Sequence, residues 1–328
     1  VKQGGNLSPV LFTVYFDTLL VLLKESKIGC RINNSYAGAL AYADDVTLLC
    51  PSLYGLNRML EICDKFAQTF DVTFNPKKSV AMCMGERQSV EGFVYMNGQK
   101  IVWKDEVKHL GSIVTNACVD DSDCKYKSSC FIGSVNKLLA SFGNMRTRVK
   151  NRLFQSYCAS FYGSQMWRLS CKYLSRLYVY WNTAVKKLHK LPFRTHRWTL
   201  GPIMNVPQVQ HQLEFRTLSF IHSYMSSQNP LVKATFAAAL RDCKSDLGYN
   251  IAFFRHKYGI DFTDDLNRCK KRIFVCIAVD NEKKVMISAI KELLDCREGL
   301  VEISGTASAR SSMTIADATF ILEGILSD

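Results

Sequence analysis

The sequence predicts an α+β fold: an antiparallel sheet with helices in residues 1–118, a helical segment at 119–240 and a helical tail at 241–328. Three observations predict this order. Apolar runs of strand length alternate with helical spacing in the first third of the chain. After about residue 121, glycines become sparse and apolar residues recur every three or four positions. Finally, 328 residues with 48% hydrophobic content are enough for two or three packed units.

The first helix is predicted from Pro9 to Glu25. Ser8 is a favourable N-cap, and proline suits the first helical position because its missing N–H would have no partner there. Apolar residues lie nearly all round this stretch, which predicts that the helix is buried. Gly29 follows as a stop signal.

Two short apolar runs, 38–42 and 46–50, flank the sequence Tyr42-Ala43-Asp44-Asp45. Each run has strand length, so together they predict a hairpin with two carboxylates at its tip. Asp-Asp is a poor hairpin turn, because it lacks the glycine that tolerates positive φ and sets two like charges side by side. Two interpretations stay open: a solvated acidic turn, or a site for a hard divalent cation such as Mg²⁺.

A second helix and further strands follow this hairpin. Ser52 precedes a stretch whose apolar residues keep helical spacing as far as Phe70, so one face of this helix is expected to cover the sheet. Residues 71–74 predict a strand and residues 75–79 a turn. Residues 93–114 predict β-hairpins, with turns at Asn97-Gly98 and Lys104-Asp105.

The clearest amphipathic helix of the helical segment covers residues 174–188. At 100° per residue, the residues on one face are apolar or aromatic: Leu174, Leu177, Tyr178, Trp181, Ala184, Val185 and Leu188. The opposite face is basic and lacks acids: Lys172, Arg176, Thr183, Lys186, Lys187 and Lys190. Leu191-Pro192 ends the helix. In the tail, helices are predicted at 283–296 and 315–326, around a loop at 299–314.

The net charge of +13 is distributed unevenly. Residues 124–213 contain 15 Lys and Arg residues and no Asp or Glu. An ordinary solvated surface mixes both signs of charge. This segment therefore predicts a polyanionic partner, although a basic helix face can also be a plain solvated surface.

Cysteine usage and hydropathy restrict the class of protein. The 13 cysteines are odd in number, lack C-x-x-C spacing and lie mostly in apolar stretches. This pattern indicates reduced, buried thiols in an intracellular protein and predicts no zinc site. No apolar run reaches the roughly 20 residues that cross a bilayer, so no membrane partner is expected.

Several of these motifs together resemble the reverse transcriptase domain of non-LTR retrotransposons. Residues 3–9, Gln-Gly-Gly-Asn-Leu-Ser-Pro, are similar to the Q-G-x-x-L-S-P loop of that family, and Tyr42-Ala43-Asp44-Asp45 is similar to its Y-A-D-D box. Residues 75–79 resemble its N-x-x-K-[ST] element, and residues 107–111 its Leu-Gly primer-grip hairpin. The resemblance is strong for residues 1–115 and looser as far as about residue 240. It implies part of a right-hand polymerase palm, followed by an all-helical thumb and a helical tail of unassigned role.

The resemblance also implies roles for site residues. Asp44 and Asp45 would be the catalytic carboxylates and would hold two Mg²⁺ or Mn²⁺ ions about 3.5–4 Å apart. Lys78 would lie near the triphosphate, or be an ordinary turn lysine. The remaining residues would contact substrates: Gln3 and Gly4 the template and nucleotide, Tyr42 and Ala43 the primer end, Leu110 and Gly111 the primer, and Lys172, Arg176, Lys186, Lys187 and Lys190 the nucleic-acid backbone.

The implied activity is RNA-directed DNA polymerisation, with an RNA template, a DNA primer and deoxynucleoside triphosphates, in a nuclear or cytoplasmic ribonucleoprotein. The family has a further catalytic Asp upstream of the Gln-Gly loop, where this chain does not reach, and Asp17 matches no motif that could replace it. We therefore expect a fragment that is inactive or nearly so by itself. Two alternatives stay open: a catalytically dead remnant that binds nucleic acid, and a protein like the group II intron maturases. The oligomeric state is not predicted.

Overall fold

The computed structural model describes residues 6–85, 92–204, 208–260, 262, 267–273 and 275–277. The chain divides into two compact units, Val1–Arg272 and Ile273–Asp328. The predicted tail elements at 283–296, 299–314 and 315–326 lie outside the described residues. We call residues 6–118 the mixed segment and residues 119–260 the helical segment. The described chain is α+β, as predicted, but its strands form several small sheets, one of which contains a parallel pair, rather than one antiparallel sheet.

Helix α1 runs from Ser8 to Glu25, close to the predicted bounds. Two details of its prediction were wrong. Leu7, not Ser8, is the N-cap residue, and it makes no side-chain cap hydrogen bond. The helix is also not buried all round: one apolar stripe is buried, and the other apolar side chains are exposed because the packed elements contact a single side. The buried residues are Phe16, Leu19 and Leu23; those exposed include Val10, Leu11, Val14, Val21 and Leu22.

The predicted second helix is confirmed as α2, Leu53–Phe70, and it contributes buried side chains to the core of the mixed segment. The Ser52 hydroxyl accepts a hydrogen bond from the Gly55 N–H at 3.1 Å, and Asp71 ends the helix in the left-handed region. Residues at helical spacing are buried: Met59, Leu60, Cys63, Phe66 and Ala67. The Phe66 ring meets Phe16 of α1 edge to face at 5.9 Å.

The described strands form small separate sheets. Strands β1 (Arg31–Ile32) and β2 (Ser35–Tyr36) pair with each other, as do β3 (Ala39–Tyr42) and β4 (Asp45–Leu48). Strands β5 (Val80–Ala81), β6 (Val94–Met96) and β7 (Gln99–Trp103) form a mixed sheet in the order β5-β7-β6. Strands β8 (Glu106–His109) and β9 (Ser112–Thr115) form the last hairpin.

Two strand-level predictions were wrong. Residues 71–74 form no strand, because residue 71 caps α2 and the following backbone makes no ladder with the described strands, although Val72 and Phe74 pack on the core. Lys104-Asp105 is not a hairpin turn, because β7 pairs with β5 and β6 rather than with β8. The Asn97-Gly98 turn is confirmed, with positive φ at both residues.

Residues 119–240 contain several helices, as predicted, and a further helix, Asp246–Tyr258, lies in the part predicted as the tail. The α-helices are α3 (Asp121–Phe142), α4 (Thr147–Leu153), α5 (Lys172–Leu188), α6 (Leu200–Met204), α7 (Val209–Ser226), α8 (Pro230–Arg241) and α9 (Asp246–Tyr258). Aromatic rings pack in the core between these helices. The Trp181 ring stacks on Phe131, with the ring centres 5.7 Å apart, and packs edge to face on Phe154, with the ring centres 4.9 Å apart. In the part of the chain that the structure describes, no helix combines the length and apolarity of a bilayer-spanning segment.

The thiols are more exposed than the sequence pattern indicated. Of the described cysteines, Cys63, Cys124, Cys158 and Cys269 are buried, and Cys118, Cys130, Cys243 and Cys276 are exposed. None of the described cysteines forms a disulfide. Burial raises the pKa of Cys63 to about 12, so this thiol stays protonated.

Candidate active site and nucleic-acid interface

The predicted hairpin with two carboxylates at its tip is confirmed, and its turn is one residue shorter than the sequence indicated. Tyr42 pairs with Asp45, so the turn consists of Ala43 and Asp44, and Asp45 is the first residue of β4. Ala43 has φ +52°, the left-handed region that disfavours a residue with a β-carbon. All four residues are exposed. The tip is therefore a strained, two-residue turn that presents both carboxylates to solvent.

The inner side of this hairpin is anchored in the core of the mixed segment. Val46 and Leu48 pack against the cluster of α1 and α2 residues. The Cys30 N–H donates to the Leu49 carbonyl at 2.8 Å and links the hairpin to the one before it. Because one side is anchored, the tip is held in place while its carboxylates stay accessible.

Asp44 and Asp45 make no hydrogen bond or ion pair with another described residue. Within the described ranges, no group of three or more His, Cys, Asp or Glu residues is placed to hold a metal ion. Two carboxylates suit Mg²⁺ in its usual mode, in which one or two protein carboxylates act together with waters and substrate phosphates. The donor set therefore fits a metal that the substrate helps to hold. The prediction of no zinc site stays a prediction.

A second hairpin lies against the first. The Thr47 hydroxyl of β4 and the His109 Nε2 of β8 are 3.3 Å apart, within hydrogen-bond distance. His109 directly precedes the Leu110-Gly111 turn, in which both residues have positive φ, 45° and 80°. The structure thus brings the predicted primer-grip turn close to the carboxylate hairpin. Sequence reasoning missed the Thr47–His109 contact, which joins residues 62 positions apart and leaves no local signal.

The predicted turn at residues 75–79 is confirmed. The Asn75 side-chain carbonyl accepts hydrogen bonds from the backbone N–H groups of Lys77 and Lys78 at 3.0 and 3.3 Å, and the Ser79 hydroxyl donates to the Asn75 backbone carbonyl. Lys78 is exposed and forms no ion pair with Asp44 or Asp45. Gln3 and Gly4, the other predicted substrate contacts, lie outside the described residues.

A buried polar network joins the second hairpin to the helical segment. Asp123, 3% exposed, accepts hydrogen bonds from the Ile113 N–H at 2.9 Å, from the Trp167 indole at 2.7 Å and from Lys127 Nζ at 3.1 Å. Lys127 also donates to the Ser112 hydroxyl at 3.2 Å. The Asp123 carboxylate thus fixes β9 against α3. No sequence motif indicated this residue.

The predicted amphipathic helix is confirmed as α5, with one apolar face and one basic face. The apolar face is buried apart from Tyr178, which is half-buried, and Lys172, Arg176, Lys187 and Lys190 are exposed. Lys186 is half-buried, and its ammonium donates to the Phe193 carbonyl at 2.7 Å. The exposed cations of this helix face are available to a polyanion.

Two lysines of the acid-free stretch do not belong to a basic surface. Lys127 is 8% exposed and pairs with Asp123, one position before the stretch begins. Lys150 is 7% exposed and donates to the Leu188 carbonyl at 2.8 Å, at the end of α5. The prediction of a basic surface was therefore wrong for these two positions, because a buried ammonium needs a fixed partner.

Comparison with known proteins supports the resemblance over the mixed segment. Residues 1–114 match the family model described as reverse transcriptase (RNA-dependent DNA polymerase). The chain is 37% identical over 78 residues to the retrovirus-related Pol polyprotein from type-2 retrotransposable element R2DM of Drosophila melanogaster, which covers 24% of this chain and 7% of that protein.

Two proteins of Popillia japonica are also similar to part of this chain. Both are Pol polyproteins from type-1 retrotransposable element R2, and they are 32% and 37% identical over 83 residues, 25% of this chain. The alignments cover 14% and 12% of those proteins. The chain thus corresponds to a small part of the length of the relatives it matches.

Proposed function

We propose that this chain is part of a non-LTR retrotransposon reverse transcriptase, which extends a DNA primer on an RNA template with deoxynucleoside triphosphates. In this proposal the mixed segment is part of the polymerase palm, and residues 119–240 are the thumb. The observation that carries it is the exposed Asp44–Asp45 hairpin, within residues that match the reverse transcriptase family. The similarity to R2 retrotransposable elements supports the same class.

The carboxylates of Asp44 and Asp45 would hold the divalent ions, Mg²⁺ or Mn²⁺. When bound, two such ions supply a clamp for the attacking and leaving oxygens of nucleotidyl transfer. The exposure of both carboxylates, and their lack of partners among the described residues, support this role. Tyr42 and Ala43 would contact the primer end, and Lys78 would neutralise the triphosphate or give a proton to pyrophosphate.

The remaining predicted residues would hold the nucleic acid. Leu110 and Gly111 would grip the primer, which is consistent with the hydrogen bond between the two hairpins. Gln3 and Gly4 would contact the template and nucleotide. The exposed cations of α5 would contact backbone phosphates, and the protein would act in a nuclear or cytoplasmic ribonucleoprotein.

Primer extension tests this proposal, using the full-length product of the gene that encodes this chain. We expect DNA synthesis on an RNA template with Mg²⁺, and none after the metal is removed with EDTA. Denatured protein and a reaction without the RNA template are the controls. Synthesis that persists in EDTA, or that needs no template, would contradict the proposal.

A second candidate function is nucleic-acid binding without catalysis, which the exposed cations of the acid-free stretch, residues 124–213, favour. The same experiment separates the two. A protein that binds primer and template with the steep salt dependence of phosphate contacts, yet adds no nucleotide in Mg²⁺ or Mn²⁺, would be a binding remnant.

A further inference from the structure

An exposed aromatic ring follows helix α5, in the turn at residues 191–195. Phe193 is 86% exposed, the highest value among the large apolar side chains in the described part of the chain. Single exposed apolar residues are common on protein surfaces, and exposure alone carries no function. Two further features accompany the exposure of Phe193: a hydrogen-bonded backbone on both sides, and cationic residues close by in the sequence.

The backbone on both sides of the ring is fixed. The Lys186 ammonium donates to the Phe193 carbonyl at 2.7 Å, the Leu191 N–H donates to the Lys186 carbonyl at 2.9 Å, and the Thr195 N–H donates to the Pro192 carbonyl at 3.1 Å. The same ammonium lies 5.4 Å from the centre of the ring. These hydrogen bonds hold the backbone that carries the ring, so less backbone entropy is lost when a flat partner stacks on it.

The residues close to this ring in the sequence are cationic. Lys187, Lys190 and Arg194 are exposed, and residues 124–213 contain no acid that would offset them. An apolar ring among cations is a poor surface for a membrane core or an apolar protein face. It suits a ligand that combines flat apolar faces with negative charge, and unpaired nucleotides have both.

We propose that Phe193 is a base-stacking position for single-stranded nucleic acid, with Lys187, Lys190 and Arg194 holding the adjacent phosphates. This inference rests on the nucleic-acid interface proposed above and adds a requirement for unpaired bases. DNA and RNA strands share the chemistry that the ring recognises, since every base has a π-face.

The test compares two fluorescent 12-nucleotide strands with equal phosphate numbers, one bearing bases and one fully abasic, in DNA and RNA forms. Anisotropy measures their binding to the full chain. Phe193→Ala is expected to weaken binding of the base-bearing strand about tenfold and to leave the abasic strand unchanged. Phe193→Trp is expected to retain the affinity, which shows that the turn is intact.

Tyr54→Ala is the matched control, because Tyr54 is 78% exposed and lies in α2, away from the acid-free stretch. We expect it to leave binding of both strands unchanged. An equal loss on both strands in Phe193→Ala, or no loss on either, would overturn the stacking role. So would a change in sedimentation of Phe193→Ala without nucleic acid, since that would assign the ring to a contact between protein copies.

The outcome also separates this inference from the function on which it rests. If the unaltered chain binds neither strand, the proposed nucleic-acid interface fails. If it binds both strands and the Phe193→Ala variant binds them equally well, the interface stands and the stacking role alone is wrong.

Discussion

The mixed and helical segments differ in where their apolar residues lie. Among the described residues, the helical segment contains a cluster of nineteen buried residues and further buried residues outside it, such as Leu218 and Phe254, whereas two clusters of the mixed segment hold six and five. The mixed segment also leaves one apolar side of α1 exposed. We infer that most of the folding free energy comes from the helical segment, since apolar burial is its main source.

The candidate catalytic residues lie in the segment with the smaller cores. Asp44 and Asp45 have no described partner, so their removal costs the fold little. In the helical segment the opposite holds: Asp123 and Trp181 are buried and make several contacts each. Burial thus separates the carboxylates of this chain: Asp123 is held by buried partners, whereas Asp44 and Asp45 stay accessible for the binding role proposed for them.

Removing a core ring should give the largest change in stability. Trp181→Ala deletes a ring that is 3% exposed and packs on Phe131 and Phe154. We expect the free energy of unfolding to fall by about 3–5 kcal/mol, measured by urea denaturation. Tyr180→Ala, at the adjacent exposed position, is the control and should cost about 1 kcal/mol or less. Equal losses of unfolding free energy in Trp181→Ala and Tyr180→Ala would contradict the assignment of Trp181 to the core.

Removing the buried carboxylate should have a similar or slightly smaller effect. Asp123→Ala leaves the ammonium of Lys127 buried without its ion-pair partner, which typically costs about 3–5 kcal/mol. The Ile113 amide should exchange hydrogen faster, because it loses its acceptor. The double variant Asp123→Ala, Lys127→Met removes the unpaired charge and should recover part of the loss. A loss that is unchanged in the double variant would contradict the ion-pair account.

The stability should depend on pH through Asp120. Burial raises the pKa of this carboxyl to about 6, although the Arg168 N–H donates to it at 2.7 Å. The folded state therefore binds a proton more readily than the unfolded state, so this contribution falls as the pH rises from about 4 to above 6. The rise of this pKa from 3.8 to about 6 corresponds to roughly 3 kcal/mol of stability.

Denaturation at pH 4.5 and 7.5 measures this effect in the wild type and in Asp120→Asn. We expect the difference in unfolding free energy between the two pH values to be smaller in Asp120→Asn, because this variant lacks the part that Asp120 causes. The pKa of Asp246 is also raised by burial, against the attraction of Arg168, so a smaller dependence of the same sign should persist. An unchanged pH profile in Asp120→Asn would assign the dependence to other groups.

Relieving the strained turn should have a small effect, confined to the mixed segment. Ala43→Gly suits the left-handed backbone at φ +52°, and we expect a gain of about 1 kcal/mol in the stability of the hairpin. Hydrogen exchange of the hairpin amides measures it. Ala41→Gly in β3 is the matched control and should destabilise instead. A loss of stability in Ala43→Gly would show that the turn is not strained.

Local patterns in the sequence predicted much of the fold and the tip of the candidate site. The helical spacing of Leu53–Phe70 and Lys172–Leu188 and the two strand-length runs around Asp44 are signals carried by adjacent residues. They were confirmed because each element's own side chains determine which face is buried.

What could not be predicted depends on residues that are far apart in the sequence. Asp123 meets Trp167, 44 positions away, and Thr47 meets His109, 62 positions away. The exposed side of α1 was missed for the same reason, because an apolar pattern does not reveal which packing partner is present. Lys127 and Lys150 looked like surface cations because their oxygen partners lie on other turns or helices.

The central claim is that Asp44 and Asp45 are catalytic, and single-nucleotide incorporation by the Asp44→Asn and Asp45→Asn variants of the full-length gene product tests it most directly. Thermal unfolding of the 328-residue chain with the same substitutions is measured beside it. We predict that each substitution lowers incorporation at least about a hundredfold, because the proposed metal ligation would supply several kcal/mol, and changes stability by less than about 0.5 kcal/mol. Asp17→Asn, an exposed carboxylate on α1, should change neither. Incorporation that survives in Asp44→Asn, or that falls only as far as the protein unfolds, would contradict the account.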